Sequence, residues 1–435
     1  MKRLLVITLI FSGLINLSAQ DDVLLNFKSL AKKYAKSEEN VLHEKKGIDS
    51  KTWFDRGKLL QDIYQIDLEY ISEGSSTTEI NIHYKDPLSV VKDEENPNTE
   101  ILKYERIEYV MVNGVLSKWN RIKSVTDSPL DKALVSYVKT LEFDEKNKYN
   151  EKVKAQLAEL KINYKQSGIN YYYSDDYKHA LHSFEKVLAI NRMKLFDGEL
   201  DTVMIQYSGI IARELKDYEK SAEYYMQLAE MNYGGPNIFL NIKNDYLALQ
   251  DSAGAIAGME IGFDKFPDTL NIVANLVDLY IKTKNIDKGL VKINEAIAKY
   301  PEKGDLNYWK GRLLLNTEDE DRIDQALVAY EKAIELNQDL YYVYYDIGFI
   351  YFLQGQDIFS QAGMEKDVEY RKEINDIATE KYDSAIPMME NALRLNTDNA
   401  EIKKETLDVL KRIYYKLYGA EDDRYIDVIE KLKEF

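Results

Sequence analysis

His179 and His182 stand three positions apart, with Glu185 one turn further on. On a helix that spacing turns two imidazoles to one side, where they could share a metal ion. Sites of this kind need three or four ligands, and no third strong ligand is fixed beside these two. Ala180 and Phe184 take the apolar side of the same segment, so the histidines are expected as neighbours on its exposed side. His43 and His83 are isolated. The run Asp319-Glu320-Asp321-Arg322-Ile323-Asp324 concentrates carboxylates but lacks the central Gly and terminal Glu of a calcium loop. Helix capping by Asp321 or Asp324 is the expected role. No Gly-rich phosphate loop opens a helix and no Gly-x-Ser-x-Gly elbow occurs. The chain has no Cys, which removes thiol catalysis, disulfides and thiolate metal sites. With 75 Asp and Glu, carboxylate pairs are too common to mark an active site. These residues predict no catalytic centre, no metal and no cofactor.

The elements that carry these residues repeat. Pro267 and Pro301 lie 34 positions apart, as do Tyr246 and Tyr280, and the same register starts units at 202, 236, 270 and 304. Each unit reads as two short amphipathic helices, and a period of this length implies stacked units rather than one globular core. Between 162 and 192, Tyr164, Ser167, Gly168 and Tyr171 fall on one face of a first helix, Ser174-Asp175-Asp176 breaks it, and Ala180, Phe184 and Val187 fall on one face of a second. Gly168 and Ala180, 12 positions apart, sit where two antiparallel helices must approach closely.

The set Tyr164, Gly168, Tyr171, Ala180 and Phe184 resembles the tetratricopeptide repeat (TPR). The resemblance implies an all-α, right-handed α-solenoid of TPR helix pairs. Later units keep the pattern with drift: Gly209, Ser221, Tyr225 and Leu228; then Tyr246, Ala255, Met259 and Pro267; then Leu276, Tyr280, Gly289, Ala296 and Pro301. From Gly311 to Ala326 the gap grows to 15, and from Gly348 to Ala385 to 37, so a helical insertion is expected at about 357–381. Trp53, Gly57 and Leu60 with Ala133, Tyr137 and Thr140 read as one unit split by an insertion. Residues 20–65 then hold N-terminal helices, with 23–47 read as an irregular pair, and the first helix of the split unit. Residues 129–160 hold its second helix and a connecting helix, 161–399 the regular solenoid, and 400–435 two capping helices.

The insertion, 66–128, is predicted as a small β-rich (α+β) module. Glu79-Ile-Asn-Ile-His-Tyr84 alternates as a strand does. Tyr104 to Val112 and Val115 to Ile122 flank Asn113-Gly114, a signal for a type I′ hairpin. The run from Asp86-Pro87 through Leu102-Lys103-Tyr104 to Trp119 resembles a lipoprotein module of the outer-membrane β-barrel assembly machinery, over about 35 residues and without that family's anchoring Cys. Residues 1–19 read as a signal peptide: Lys2 and Arg3, an apolar stretch, and a small-residue site for cleavage after Ala19. No later stretch is apolar for long enough to cross a bilayer. The net charge of −17 becomes −19 once Lys2 and Arg3 are removed, which disfavours nucleic acid as a partner.

In the TPR family the concave surface is lined by set positions of each first helix. The resemblance places Asn237, Asn241 and Asn244 there in one unit, and Asn271, Asn275 and Asp278 at the same positions of the next. Tyr308, Trp309 and Arg312, then Tyr342, Tyr345, Asp346 and Phe349, continue the line as an aromatic stretch. Amides at regular spacing can pair with both N–H and C=O groups of an extended peptide. Each such bond is worth only ~1 kcal/mol net, so a series is required. The family's carboxylate clamp is not reproduced, since Lys165 is followed by Ile169 where an Asn would be needed. The expected function is a non-enzymatic scaffold for a protein or peptide partner in the bacterial envelope, periplasmic or secreted. An accessory role in outer-membrane assembly or secretion machinery, through the insertion, is the alternative within that class; an unrecognised hydrolase is the competing one.

Overall fold

The computed structural model describes residues 22–435 apart from Lys85 and Glu95; the expected signal peptide lies outside the described residues. The chain divides into two compact units between Tyr233 and Gly234. Each is a stack of antiparallel helix pairs, and the first also carries a four-stranded antiparallel sheet.

The first unit comprises α1 (Asp22–Leu42), α2 (Ser50–Gln65), α3 (Thr77–His83), the strands β1 (Ser89–Lys92), β2 (Thr99–Lys103), β3 (Ile107–Val112) and β4 (Val115–Arg121), then α4 (Pro129–Glu142), α5 (Asn150–Tyr173), α6 (Tyr177–Asn191), α7 (Thr202–Glu214) and α8 (Tyr218–Glu230). The second comprises α9 (Asn237–Ala248), α10 (Ser252–Lys265), α11 (Leu270–Lys282), α12 (Ile286–Lys299), α13 (Gly304–Leu314), α14 (Arg322–Leu336), α15 (Tyr341–Met364), α16 (Val368–Leu395), α17 (Ala400–Tyr418) and α18 (Asp423–Leu432).

The turn inside each regular pair has a fixed chemistry. Lys216, Gln250 and Lys284 all adopt positive φ, near 60°, and each immediately precedes the residue that caps the second helix. Asp217 and Asp251 accept from the backbone N–H of Lys220 and Gly254, at 3.2 and 2.8 Å. The left-handed residue reverses the chain in the least space, and the carboxylate then satisfies a first-turn donor that the helix cannot. The positive-φ residue recurs every 34 residues through all three turns, while the capping Asp recurs at 217 and 251 and is replaced at 285 by an Asn without a side-chain capping bond. Asp321 occupies the N-cap position of α14 without a side-chain capping bond, and Asp324 lies in the first turn, where its charge complements the helix dipole.

Within pairs, a glycine on the first helix faces a large side chain on the second. A Cβ built at Gly168 would overlap the Phe184 ring, and one at Gly209 would stand 3.3 Å from Tyr225, each partner 16 positions later. Gly311 faces Tyr330, 19 positions later, and Gly57 faces Tyr137, 80 positions later. The extra residues therefore lie in the turns, while the contact that brings the two backbones together is kept. In the α9–α10 pair the roles exchange, with Ile242 on the first helix and Gly258 on the second, again 16 apart.

The insertion departs from its sequence reading at one end. Residues 79–84, which alternate as a strand does, instead lie on α3 and its C-cap Tyr84. The cause is a capping box: Ser76 Oγ accepts from the Glu79 N–H (3.2 Å) while the Glu79 carboxylate accepts from the Ser76 N–H (2.6 Å). Ile80 and Tyr84, one helical turn apart, are buried, whereas Ile82 is exposed. A six-residue alternation was too short to outweigh that nucleus. Residues 23–47 also differ, forming the single helix α1 rather than a pair. The hairpin signal is realised: Asn113 and Gly114 both have positive φ between β3 and β4, as a type I′ turn requires.

The sheet is pinned to the helices by buried polar groups. Asp67, 1% exposed, accepts from Arg106 Nε and Nη2 at 2.9 and 2.6 Å, and its C=O accepts from the Tyr109 hydroxyl. Arg121 Nη2 donates to the Tyr64 C=O at 2.6 Å, with its guanidinium over the Tyr64 ring. Burial pushes the Tyr64 phenol up to about 12, despite the nearby Arg121 charge. On β4 the side chain of Asn170 (α5) accepts from the Trp119 N–H at 2.7 Å and donates to its C=O at 3.1 Å. One amide thus does for that edge what a neighbouring strand would do.

Candidate partner-binding surface

The candidate residues belong to four first helices of the second unit: α9, α11, α13 and α15. These helices meet through their side chains. Lys243 Nζ (α9) donates to Asn275 Oδ1 (α11) at 2.5 Å, and the Tyr342 hydroxyl (α15) donates to the Asp305 carboxylate (α13). The Tyr345 hydroxyl (α15) donates to Glu405 Oε2 (α17) at 2.9 Å. One face therefore runs across successive helices, as stacked units dictate.

The residues divide sharply along that face. Asn237, Asn244, Asn271 and Asp278 are exposed, and Asn241 and Asn275 are half-buried. Asn275 is committed within the chain: besides accepting from Lys243, its Nδ2 donates to the Asn271 side-chain and backbone oxygens, both at 2.7 Å. The amides thus form a relay, Lys243 to Asn275 to Asn271, rather than independent rungs. Lys243 was not singled out in the sequence because its equivalent one period later is Val277. Burial, reinforced by the Lys282 charge and opposed by Asp278, holds its amine below the usual lysine range.

In the aromatic stretch, Tyr308 is a core residue, 6% exposed. Its ring stacks on Tyr330 (5.6 Å) and meets Tyr342 edge-on (4.6 Å). Tyr342, Tyr345 and Asp346 are half-buried and join neighbouring helices or the underlying core. Trp309 and Arg312 remain half-buried at the surface, with the Arg312 guanidinium 5.9 Å from the indole ring. The Trp309 Nε1 atom is itself buried and donates to no protein acceptor. Leaving such a donor unmade costs about 1–3 kcal/mol, and an acceptor could reach it only if a covering side chain moved.

Beside Tyr308 and Tyr330 lies a carboxyl group, that of Asp346. Burial raises the Asp346 carboxyl above the usual carboxylate range, against the opposing effects of Arg312 and of hydrogen bonds from the Tyr308 and Tyr330 hydroxyls. A carboxyl raised on folding binds its proton more tightly in the folded state. Its contribution to stability is fully present below the unfolded value, near ~4, and is lost as pH rises through the higher folded value. Asp346→Asn should therefore gain stability relative to the parent between about pH 4 and pH 7. Paired urea denaturations at the two pH values read this, and a difference that is flat or falls with pH contradicts it.

The histidines singled out for metal chemistry go to different partners. His179 Nδ1 lies 2.8 Å from Asp176, its ring stacked on Tyr171, and His182 Nε2 lies 3.0 Å from Asp131. Both are exposed. Among the described residues no group of three or more His, Asp or Glu is placed to hold a metal ion, and no helix is long and apolar enough to cross a membrane.

Residues 319–355 match the TPR repeat family. The match spans α14 and the first half of α15, the second helix of one pair and the first of the next. The fold is similar to that of a TPR repeats protein from Bacteroides fragilis NCTC 9343, 18% identical, over 57% of this chain and 97% of that one (TM-score 0.35). It is similar to YrrB, described as a TPR protein with an unusual peptide-binding site, 13% identical over 44% and 93% (TM-score 0.28). It is also similar to a monomeric IFIT1 mutant bound to Gppp-AAAA, 14% identical over 68% of each chain (TM-score 0.34). At these scores the likenesses carry no functional argument. No curated protein matches the chain.

Proposed function

We propose that this protein is a non-enzymatic scaffold of the bacterial cell envelope, which holds an extended peptide segment of a partner protein against the face built by α9, α11, α13 and α15. The repeat architecture favours this reading, because stacked helix pairs present long surfaces rather than closed reaction chambers. The observation that carries it is the half-buried Trp309 ring with the Arg312 guanidinium 5.9 Å away on that face, an aromatic and a cation that a peptide can cover. The exposed amides of Asn237, Asn244 and Asn271 offer both donors and acceptors further along. Export is part of the proposal and rests on residues 1–19; a mature N-terminus at Gln20 tests it.

Cross-linking in cells followed by identification of captured proteins tests the surface. Changing Asn241, Asn275 and Trp309 together to Ala should reduce capture of the principal partner at least tenfold, since one buried Trp anchor alone is typically worth about 2 kcal/mol. Trp309→Phe, which keeps an aromatic ring and removes only the N–H, should give a smaller loss of the same partner. Capture unchanged in the triple variant rules the surface out, and turnover of a small substrate without any protein partner overturns the scaffold class.

A further inference from the structure

The N-terminal helices carry the opposite sign of charge from the chain as a whole. Residues 22–65, which span α1 and α2, contain nine Lys and Arg against seven Asp and Glu, a net charge of +2 in a protein of −17. α1 and α2 fold this excess around an open cleft of about 230 Å³, whose lining includes Lys33, Lys36, Lys51, Arg56, Asn40 and Thr52.

The groups in the cleft fall into two sets. Arg56 is buried and already used: Nη1 donates to Ser37 Oγ at 2.8 Å, Nη2 pairs with Glu38, and the guanidinium lies over the Tyr34 ring. The two acids of the lining are also used, Asp55 by Lys51, and Asp49 as the cap of α2, where it accepts from the Thr52 N–H and hydroxyl at 3.0 Å. Lys33 and Lys36 are different. They stand one turn apart on α1, both exposed, and neither makes an ion pair among the described residues. The cleft thus has a neutralised floor and, along one wall, two ammonium groups without a direct ion pair, of which Lys33 also feels the Asp62 charge on α2.

We propose that the α1–α2 cleft is a docking site for an extended acidic segment of a partner protein, with Lys33 and Lys36 as its charge contacts. Spacing supports a carboxylate-bearing chain. Same-side residues of an extended strand recur every ~6.6 Å, comparable with the ~5 Å rise of a helical turn that separates the two lysines. Sign supports it as well. The chain as a whole is acidic, so a locally basic cleft attracts such a segment more than the average surface does. A bilayer or a nucleic acid would have to bring an extended anionic surface up to a strongly acidic protein, and the only guanidinium of the cleft is already engaged. This site lies on the first unit and is independent of the Trp309 surface proposed above.

The test is fluorescence anisotropy of the full chain with fluorescein-labelled deca-glutamate. Binding is expected at about 20 mM salt and should weaken strongly at about 300 mM, where the Debye length is under 10 Å. Lys33→Glu with Lys36→Glu should weaken it at least about tenfold without changing the circular dichroism spectrum. Lys146→Glu with Lys148→Glu makes the same change in net charge at exposed positions elsewhere on the unit and should leave binding within about twofold. No binding at low salt overturns the proposal, as does an equal loss in the two variants. Tighter binding to phosphatidylglycerol vesicles or to a single-stranded oligonucleotide than to the peptide also overturns it.

Discussion

Asp67→Ala is expected to destabilise the first unit by about 3–5 kcal/mol, because it leaves the Arg106 guanidinium buried with its charge uncompensated. Arg106 is 6% exposed and takes both of its short carboxylate bonds from Asp67. The effect should be local: amides of β1–β4 lose protection from hydrogen exchange, whereas those of α7 and α8, in later units of the stack, keep theirs. A companion variant separates the pair's net worth from the penalty of breaking it. Asp67→Leu together with Arg106→Met should recover most of the loss, since apolar replacement of a buried pair is often neutral or stabilising. A single-variant loss below about 1 kcal/mol, the size expected of an exposed pair, would mean that Asp67 does not hold the insertion.

Gly311→Ala should destabilise the second unit by about 1–3 kcal/mol, the usual cost of overpacking a filled core. The added Cβ would overlap the ring of Tyr330, which is fully buried. Two effects oppose each other here. Replacing a helical Gly by Ala favours the helix by up to about 1 kcal/mol, and the steric term must exceed this for the sign to be negative. Gly363→Ala provides the contrast. Gly363 is exposed near the end of α15, and a Cβ there would meet nothing within 4 Å. The same chemical change should therefore be neutral to stabilising at 363 and harmful at 311. Adding Tyr330→Leu to Gly311→Ala should cost less than the two single effects summed, because the smaller side chain removes the overlap. Strict additivity in that cycle, read from urea midpoints, would show that the pair is not the contact that sets the helix spacing.

The insertion shows where local sequence signals compete. The hairpin was readable because Asn113-Gly114 carries its own backbone requirement, positive φ at two successive residues, and few sequences meet it. The neighbouring alternation at 79–84 carried no such requirement. The Ser76 and Glu79 capping box was present in the same residues and specified a helix instead. At the candidate surface, spacing correctly placed the amides and aromatics on first helices. It could not tell a side chain that faces outward from one that turns to the next helix. Asn275, Tyr342 and Tyr345 each bond to a residue outside their own unit: Lys243, Asp305 and Glu405.

The sequence by itself determined the repeating pair. The 34-residue period and the small residue at the close approach are periodic, and one chain suffices to display them. It also determined where the period stretches, since insertions leave the flanking pattern intact. Only the tertiary structure decided that Asp67 is the anchor of the sheet and that the Trp309 indole N–H is buried without an acceptor. Those facts depend on which side chains share space after the helices stack. Packing between units has no period of its own, so it leaves no mark in the spacing of residues along the chain.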